Sequence, residues 1–274
     1  MPRFFNRIRQ QLAKENRFLQ YSRYAIGEIL LVVIGILIAI QVDNWNQDRQ
    51  TSNTEIEYLK RLHSDLANDT AYYNRRIKYA DKVIADHKNA LLISYTEISS
   101  SRDFFESFNK LDWSSEALSI RDNTFSEMNN AGQINIIKND KLKTELLEFY
   151  RQVDVAEKHF EEFNNTTIQF MSHFFIQSKA QKHFFAYEGD WSPWTIEMLE
   201  DSDDWQWIND PTSESFKSFV LSLDFYSGKH GVFKEYLVDL RNKSTLLLIE
   251  IENEFRNRSI QVPEPSIKPI FVLD

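Results

Sequence analysis

The chain has 274 residues, a formal net charge of −9, no cysteine, and only 6 Gly and 6 Pro beside 21 phenylalanines, 11 tyrosines and 6 tryptophans. The missing cysteine excludes disulfides, thiolate metal sites and cysteine nucleophiles, and so little Gly and Pro means few turns and long elements. Residues 1–42 carry a net +4, leaving −13 for the other 232, a balance that excludes nucleic acid as a partner of the larger part.

From the N-terminus, residues 1–24 read as a basic amphipathic segment. At 100° per residue Phe4, Phe5, Ile8, Leu12, Phe18 and Leu19 gather on one side of a helix, and Arg3, Arg7, Lys14 and Arg17 on another. Such a helix beside a membrane span lies on anionic headgroups; Glu15 on the apolar face counts against that reading, and a cytoplasmic partner helix is the alternative. The run 25–42 (AIGEILLVVIGILIAIQV) follows, and its eighteen residues rise about 27 Å as a helix, close to the ~30 Å hydrocarbon thickness. Tyr21 and Tyr24 flank one end and Trp45 the other, as interfacial aromatics do. Six basic residues precede the run, and Asp43 and Asp48 follow it. The positive-inside rule therefore predicts a single-pass transmembrane helix with its N-terminus in the cytoplasm. No A-x-A cleavage site follows, so the run reads as an uncleaved anchor and not as a signal peptide.

Within the span Glu28, Gly35 and Ala39 share one helix face. Gly35-x-x-x-Ala39 is a small-xxx-small pair that permits close helix approach and self-association, while Glu28 lies one turn inside the cytoplasmic boundary, where a carboxylate reaches the headgroups.

Residues 43–260 read as long amphipathic helices, an all-α bundle of long antiparallel helices. Apolar residues recur at Leu59, Leu62, Leu66, Tyr73, Ile77, Ala80, Ile84 and Leu91, with Asp69 and His87 interrupting, which predicts one helix from the membrane to about Ser94. Between 140 and 178, Leu142, Leu146, Phe149, Val153, Ala156, Phe160, Phe163, Thr167, Phe170 and Phe174 keep an unbroken 4-3 spacing, a heptad seam like that of a coiled coil. So many Phe are too bulky for two strands and predict packing inside a bundle. Asn139 or Asp140 caps its start. A short helix at about 212–226, a break at Gly228 and Gly231, and a third long helix at 230–258 complete the bundle. An acidic, Trp-rich loop at 187–210 lies before it, and the Pro-containing tail 261–274 is extended.

Two stretches carry a family resemblance: Tyr24 to Asn46 (YAIGEILLVVIGILIAIQVDNWN) and Asn123 to Asp140 (NTFSEMNNAGQINIIKND). Together they resemble the uncharacterised single-pass membrane proteins of Bacteroidota classed as a domain of unknown function, number six thousand and ninety. The resemblance supplies topology and no activity. It implies the inner membrane of a Gram-negative envelope, with the bulk in the periplasm. In its second motif, Asn123 caps a helix of 124–130 with Glu127 completing a capping box, Gly132 ends it left-handed, and Asn139 opens the next helix. A ligand site at Thr124, Phe125, Glu127, Gly132 and Asn139 is the alternative reading.

No catalytic constellation accompanies these elements. H-x-x-x-H, H-E-x-x-H and E-x-x-H are all missing, so no metal is expected. Ser107 and Lys110 match S-x-x-K without its companion motifs. Glu200 to Asp204 lacks the Gly and terminal Glu of a calcium loop. The sequence predicts no cofactor and no enzyme. It predicts a lipid bilayer and a protein partner or second copy in the envelope, with a periplasmic ligand-binding or sensor domain built on 124–139 and 187–210 as the rival.

Overall fold

The computed structural model describes residues 18–179, 181–184, 193–199 and 203–264, and the helices are α1 (Phe18–Ile93), α2 (Ser101–Phe108), α3 (Asn123–Asn130), α4 (Asp140–Ser178), α5 (Gln181–Phe184), α6 (Ile196–Leu199) and α7 (Glu214–Asn257). Single 3-10 turns stand at Gln133–Ile136 and Gln206–Asn209, and there is no strand among the described residues. Arg3, Arg7, Lys14 and Arg17, the tail from 265 on and part of the Trp-rich loop lie outside the described residues.

The chain divides into two compact units, Met1–Glu57 and Tyr58–Asp274. In the first, α1 carries the apolar run with a mean hydropathy of 2.6 over 18 residues, none of it buried. Gly35 and Ala39 are exposed, and a Cβ added at Gly35 meets nothing within 4 Å. Glu28 is half-buried.

In the second unit three long helices lie side by side. Lys141 pairs with Glu250, His159 with Tyr236, and Phe170 stacks on Phe225, so rising numbers in α4 meet falling numbers in α7 and the two run antiparallel. The same order joins α1 to α7, with His63 beside Glu252, Thr70 at Ser244 (2.9 Å) and Asp81 at Lys234 (2.5 Å). It follows that α1 and α4 run parallel, and the chain between them returns the full length of the bundle.

Two apolar clusters fill the interior. The larger takes Leu59, Leu62 and Leu66 of α1, Leu142, Leu146 and Phe160 of α4, and Leu240, Leu247 and Phe255 of α7. The second is aromatic: Phe104, Phe108, Trp113, Phe174, Phe175, Phe184, Trp205, Phe219 and Tyr226.

Three expectations need correction. The helix predicted to break at Gly228 and Gly231 continues from Glu214 to Asn257. Each glycine costs a helix about 1 kcal/mol, but Tyr226, Lys229, His230 and Phe233 are buried on the intervening turn and hold it. Phe163 is exposed, and Asn164 takes the buried seam position beside it. Asn123 is not a cap, because α3 starts on it and Asp122 stands before it with no side-chain cap bond.

At the end of α3, Gly132 is left-handed (φ 66) with open space around its missing Cβ. Alanine there is expected to cost about 1 kcal/mol of backbone strain. Alanine at Gly228 or Gly231, helical and equally open, is expected to stabilise by about 0.5–1 kcal/mol. Urea unfolding of the three variants in detergent checks the opposite signs.

Candidate functional site

Between α2 and α3 lies a stretch without regular structure, roughly 109–122, whose backbone between Trp113 and Arg121 is hydrogen-bonded to side chains of all three long helices. A peptide group withdrawn from water must find a partner, and here the helices supply it. From α1, Asp69 accepts the N–H of Arg121 on both carboxylate oxygens (3.0 and 3.3 Å), and the Tyr72 hydroxyl oxygen accepts that of Ser119 (3.1 Å). Arg76 pairs with Glu116, and the Tyr79 hydroxyl donates to Asp112 (2.6 Å). From α4, the Asn164 amide donates to the Glu116 carbonyl (3.0 Å). From α7, Tyr226 donates to the carbonyls of Trp113 and Ser114, and Lys229 reaches Ser114 O (3.4 Å) and Ser115 Oγ (3.2 Å). The partners at 69, 72, 76 and 79 step along one face of α1 as the strap runs backwards over it.

Burial sets the charges in this site. Asp69 is fully buried and is raised to about 7, because desolvation outweighs the Arg121 N–H. Desolvation pushes the Lys229 ammonium down to about 8, with Asp112 opposing. His87 and His230 are both pushed down to about 4 by burial. Burial alone raises Asp112, but the hydrogen bonds from Tyr79 and Ser114 outweigh it and hold the carboxyl below its ordinary range. The hydroxyls of Tyr73 and Tyr150, Nε2 of His87 and the indole N–H of Trp113 are enclosed with no partner among the described residues.

The motif residues named from sequence sit at the end of the strap. Thr124 donates to Asp65 (2.5 Å), and Glu127 takes Arg61 (2.5 Å) and the Tyr58 hydroxyl (2.9 Å). Phe125 stacks on Tyr150 at 4.0 Å between ring centres. Asn139 caps α4 through Leu142 N (3.1 Å), and its amide donates to Glu254 (2.8 Å). Thr124 and Glu127 thus share the face of α1, whereas Asn139 faces α7. Gly132 makes the turn between them. Glu28, Gly35 and Ala39 belong to the other unit.

Of the rival pocket from 124–139 and 187–210, residues 187–192 and 200–202 lie outside the described residues, and the described residues of the two segments that enter an apolar cluster enter different ones. Ile134 and Ile137 pack in the larger cluster, while Trp205 and Ile208 pack in the aromatic one. Among the described residues no group of three acidic or imidazole side chains is placed to hold a metal ion.

Residues 28–150 match DUF6090, a family of unknown function. The matched stretch, under half the chain, takes in α1 from Glu28, the whole strap, the 124–139 motif and the first turns of α4. The DUF6090 match takes in both stretches that carry the resemblance, the first from Glu28 on, while the α7 side of the cage, Tyr226, Lys229 and His230, lies beyond it. No curated protein and no solved structure matches the chain.

Sequence patterning passes over this site because the strap has no period to detect. Its signal was in the helices: polar residues at positions the apolar spacing reserves for the core. Asp69 and His87 read as interruptions of the α1 face and are both buried members of it. Asn164→Leu, which strips the Glu116 carbonyl and the Lys229 ammonium of a buried partner, is expected to cost about 1–3 kcal/mol, measured as a shift in the urea midpoint.

Proposed function

We propose that this chain is a single-pass membrane protein of the inner membrane, N-terminus in the cytoplasm, whose helical domain stands in the periplasm and docks a protein partner or a second copy, without catalysis. The observation that carries the reading is the run Ile26–Val42 on α1, apolar throughout apart from Glu28 and Gln41 and exposed at every residue but the half-buried Glu28. Lipid is the solvent that such a surface requires. The six basic residues before the run support the orientation through the positive-inside rule.

A docking role for the domain draws support from its outer faces. Helices α4 and α7 frame an open groove where exposed Leu246 lies among Lys141, Glu145, Glu148, Lys243 and Glu250, with buried Phe149 as its floor. Apolar ground ringed by both charge signs suits a protein surface.

Two experiments test the proposal. Reporter fusions after residue 50 are expected to be active only outside the cytoplasm, and a cytoplasmic signal overturns the orientation. Crosslinking in native membranes followed by mass spectrometry is expected to give defined adducts of the domain; a monomer alone overturns the docking role.

A further inference from the structure

Tyr226 is the hub of the strap site. Its ring stacks on His87 (5.4 Å between centres, 5° between planes) and on His230 (5.7 Å, 29°), and meets the Trp113 edge at 5.2 Å. The Lys229 ammonium lies 4.0 Å from the same ring centre. The Tyr226 hydroxyl is bonded to the strap at Trp113, Ser114 and Ser115, and Lys229 reaches Ser114, Ser115 and Asn164. Whatever displaces this stack breaks the bonds that tie strap residues 113–115 to α7.

Geometry fixes the tautomer of each neutral imidazole. Nδ1 of His87 faces the Val83 carbonyl (2.9 Å) and Nδ1 of His230 the Tyr226 carbonyl (2.9 Å). A carbonyl only accepts, so Nδ1 carries the proton of each neutral ring, and a second proton must go to Nε2. In His87 that nitrogen is enclosed and has no partner among the described residues. The charged groups that act on the pair are Asp86 and Arg76 of α1, Asp112 of the strap, and Lys229 of α7, with Glu116 of the strap acting on Lys229; α4 contributes the uncharged Asn164.

The geometry points to the Tyr226 stack as an acid-operated latch: proton uptake by His87 and His230 beside the Lys229 ammonium frees strap residues 113–116 from α4 and α7 while the three long helices stay packed. The helices persist because Leu59, Leu142, Leu247 and their neighbours form a cluster of their own, in which neither Trp113 nor Tyr226 takes part. The strap stays attached at its far end, where Asp69 holds Arg121 and acid relieves the cost of a buried carboxylate. Release uncovers the Trp113 ring and the Phe174 and Phe175 rings against it.

The sign follows from linkage. Both imidazoles titrate near 4 in the closed latch and near ~6.5 once in water, so closure is favoured at neutral pH and lost as pH falls from ~6.5 towards 4. At pH 4.5 each imidazole shifts the equilibrium about a hundredfold towards the open form. The latch chemistry is independent of topology; only its exposure to external pH rests on the periplasmic placement proposed above.

The test is hydrogen–deuterium exchange read by mass spectrometry on the full chain in detergent micelles at pH 7.5 and 4.5, corrected for intrinsic exchange. Expected at pH 4.5 is at least a tenfold loss of protection in strap peptides, with peptides from 59–66 and 244–255 keeping theirs, and a strap that stays protected in His87→Gln/His230→Gln. Loss of strap and helix protection together overturns the latch, as does a double variant that opens like the wild type. If circular dichroism shows that the double variant does not fold, each single variant decides: proton uptake on release falls from two to one per molecule, and an unchanged steepness overturns the proposal.

Discussion

Phe160→Ala is expected to lower the unfolding free energy by about 3–5 kcal/mol, and Phe163→Ala, three residues on in the same helix, by about 1 kcal/mol or less. Phe160 is fully buried, with its ring stacked on Phe233 at 3.6 Å between centres. Truncation leaves a cavity lined by rings that are tied into α7 and cannot close over it. Phe163 is 39% exposed and meets Phe233 only at an edge, 6.1 Å away, so water fills the space its ring vacates. Urea midpoints in detergent, compared at equal m, measure both. Equal losses would mean that Phe163 is as deeply buried as its helix neighbour.

Asp69→Asn carries the second large effect, and its size depends on pH. The buried carboxyl keeps its proton up to about pH 7, whereas an unfolded chain releases it above ~3.9. The folded state thus holds an extra proton across that window, and stability is fully present below about pH 4 and lost as pH rises through 7. A displacement of three pH units amounts to about 4 kcal/mol. The amide keeps an oxygen for the Arg121 N–H and has no charge to bury. The variant is expected to be more stable than wild type at pH 8 by up to about 4 kcal/mol, less the weaker hydrogen bond, and to match it at pH 4. Unfolding followed at pH 4, 6 and 8 reads the slope directly; parallel profiles for the two proteins rule this account out.

What was legible in the sequence divides by mechanism. The ends of α1 at Ile93 and of α4 at Asp140 and Ser178 followed from apolar spacing and the Asn139 cap, because both signals are local. The run through Gly228 and Gly231 was not legible, since glycine propensity is local but the packing that overrides it comes from residues 87, 113 and 164. Phe163 fitted the heptad spacing and Asn164 did not. The position went to Asn164 because the strap presents a carbonyl there, and nothing within a turn of residue 164 announces it. The Thr124 to Asn139 motif was found by its residue types. Its contacts with Tyr58, Arg61 and Asp65 depend on the strap turning back over α1, which no spacing encodes.

The parallel course of α1 and α4 has a consequence for the order of assembly. Neither can lie against the other through a tight turn, and what bridges them is α7, whose contacts reach back 189 residues from Glu252 to His63 and 178 from Ser244 to Leu66. Ring closure on that scale is slow and entropically costly. Until the segment up to Asn257 has been synthesised, Leu59, Leu142 and their neighbours have no third wall, and the strap lacks Tyr226 and Lys229. The domain is therefore built to fold late, as one step, when the last helix arrives.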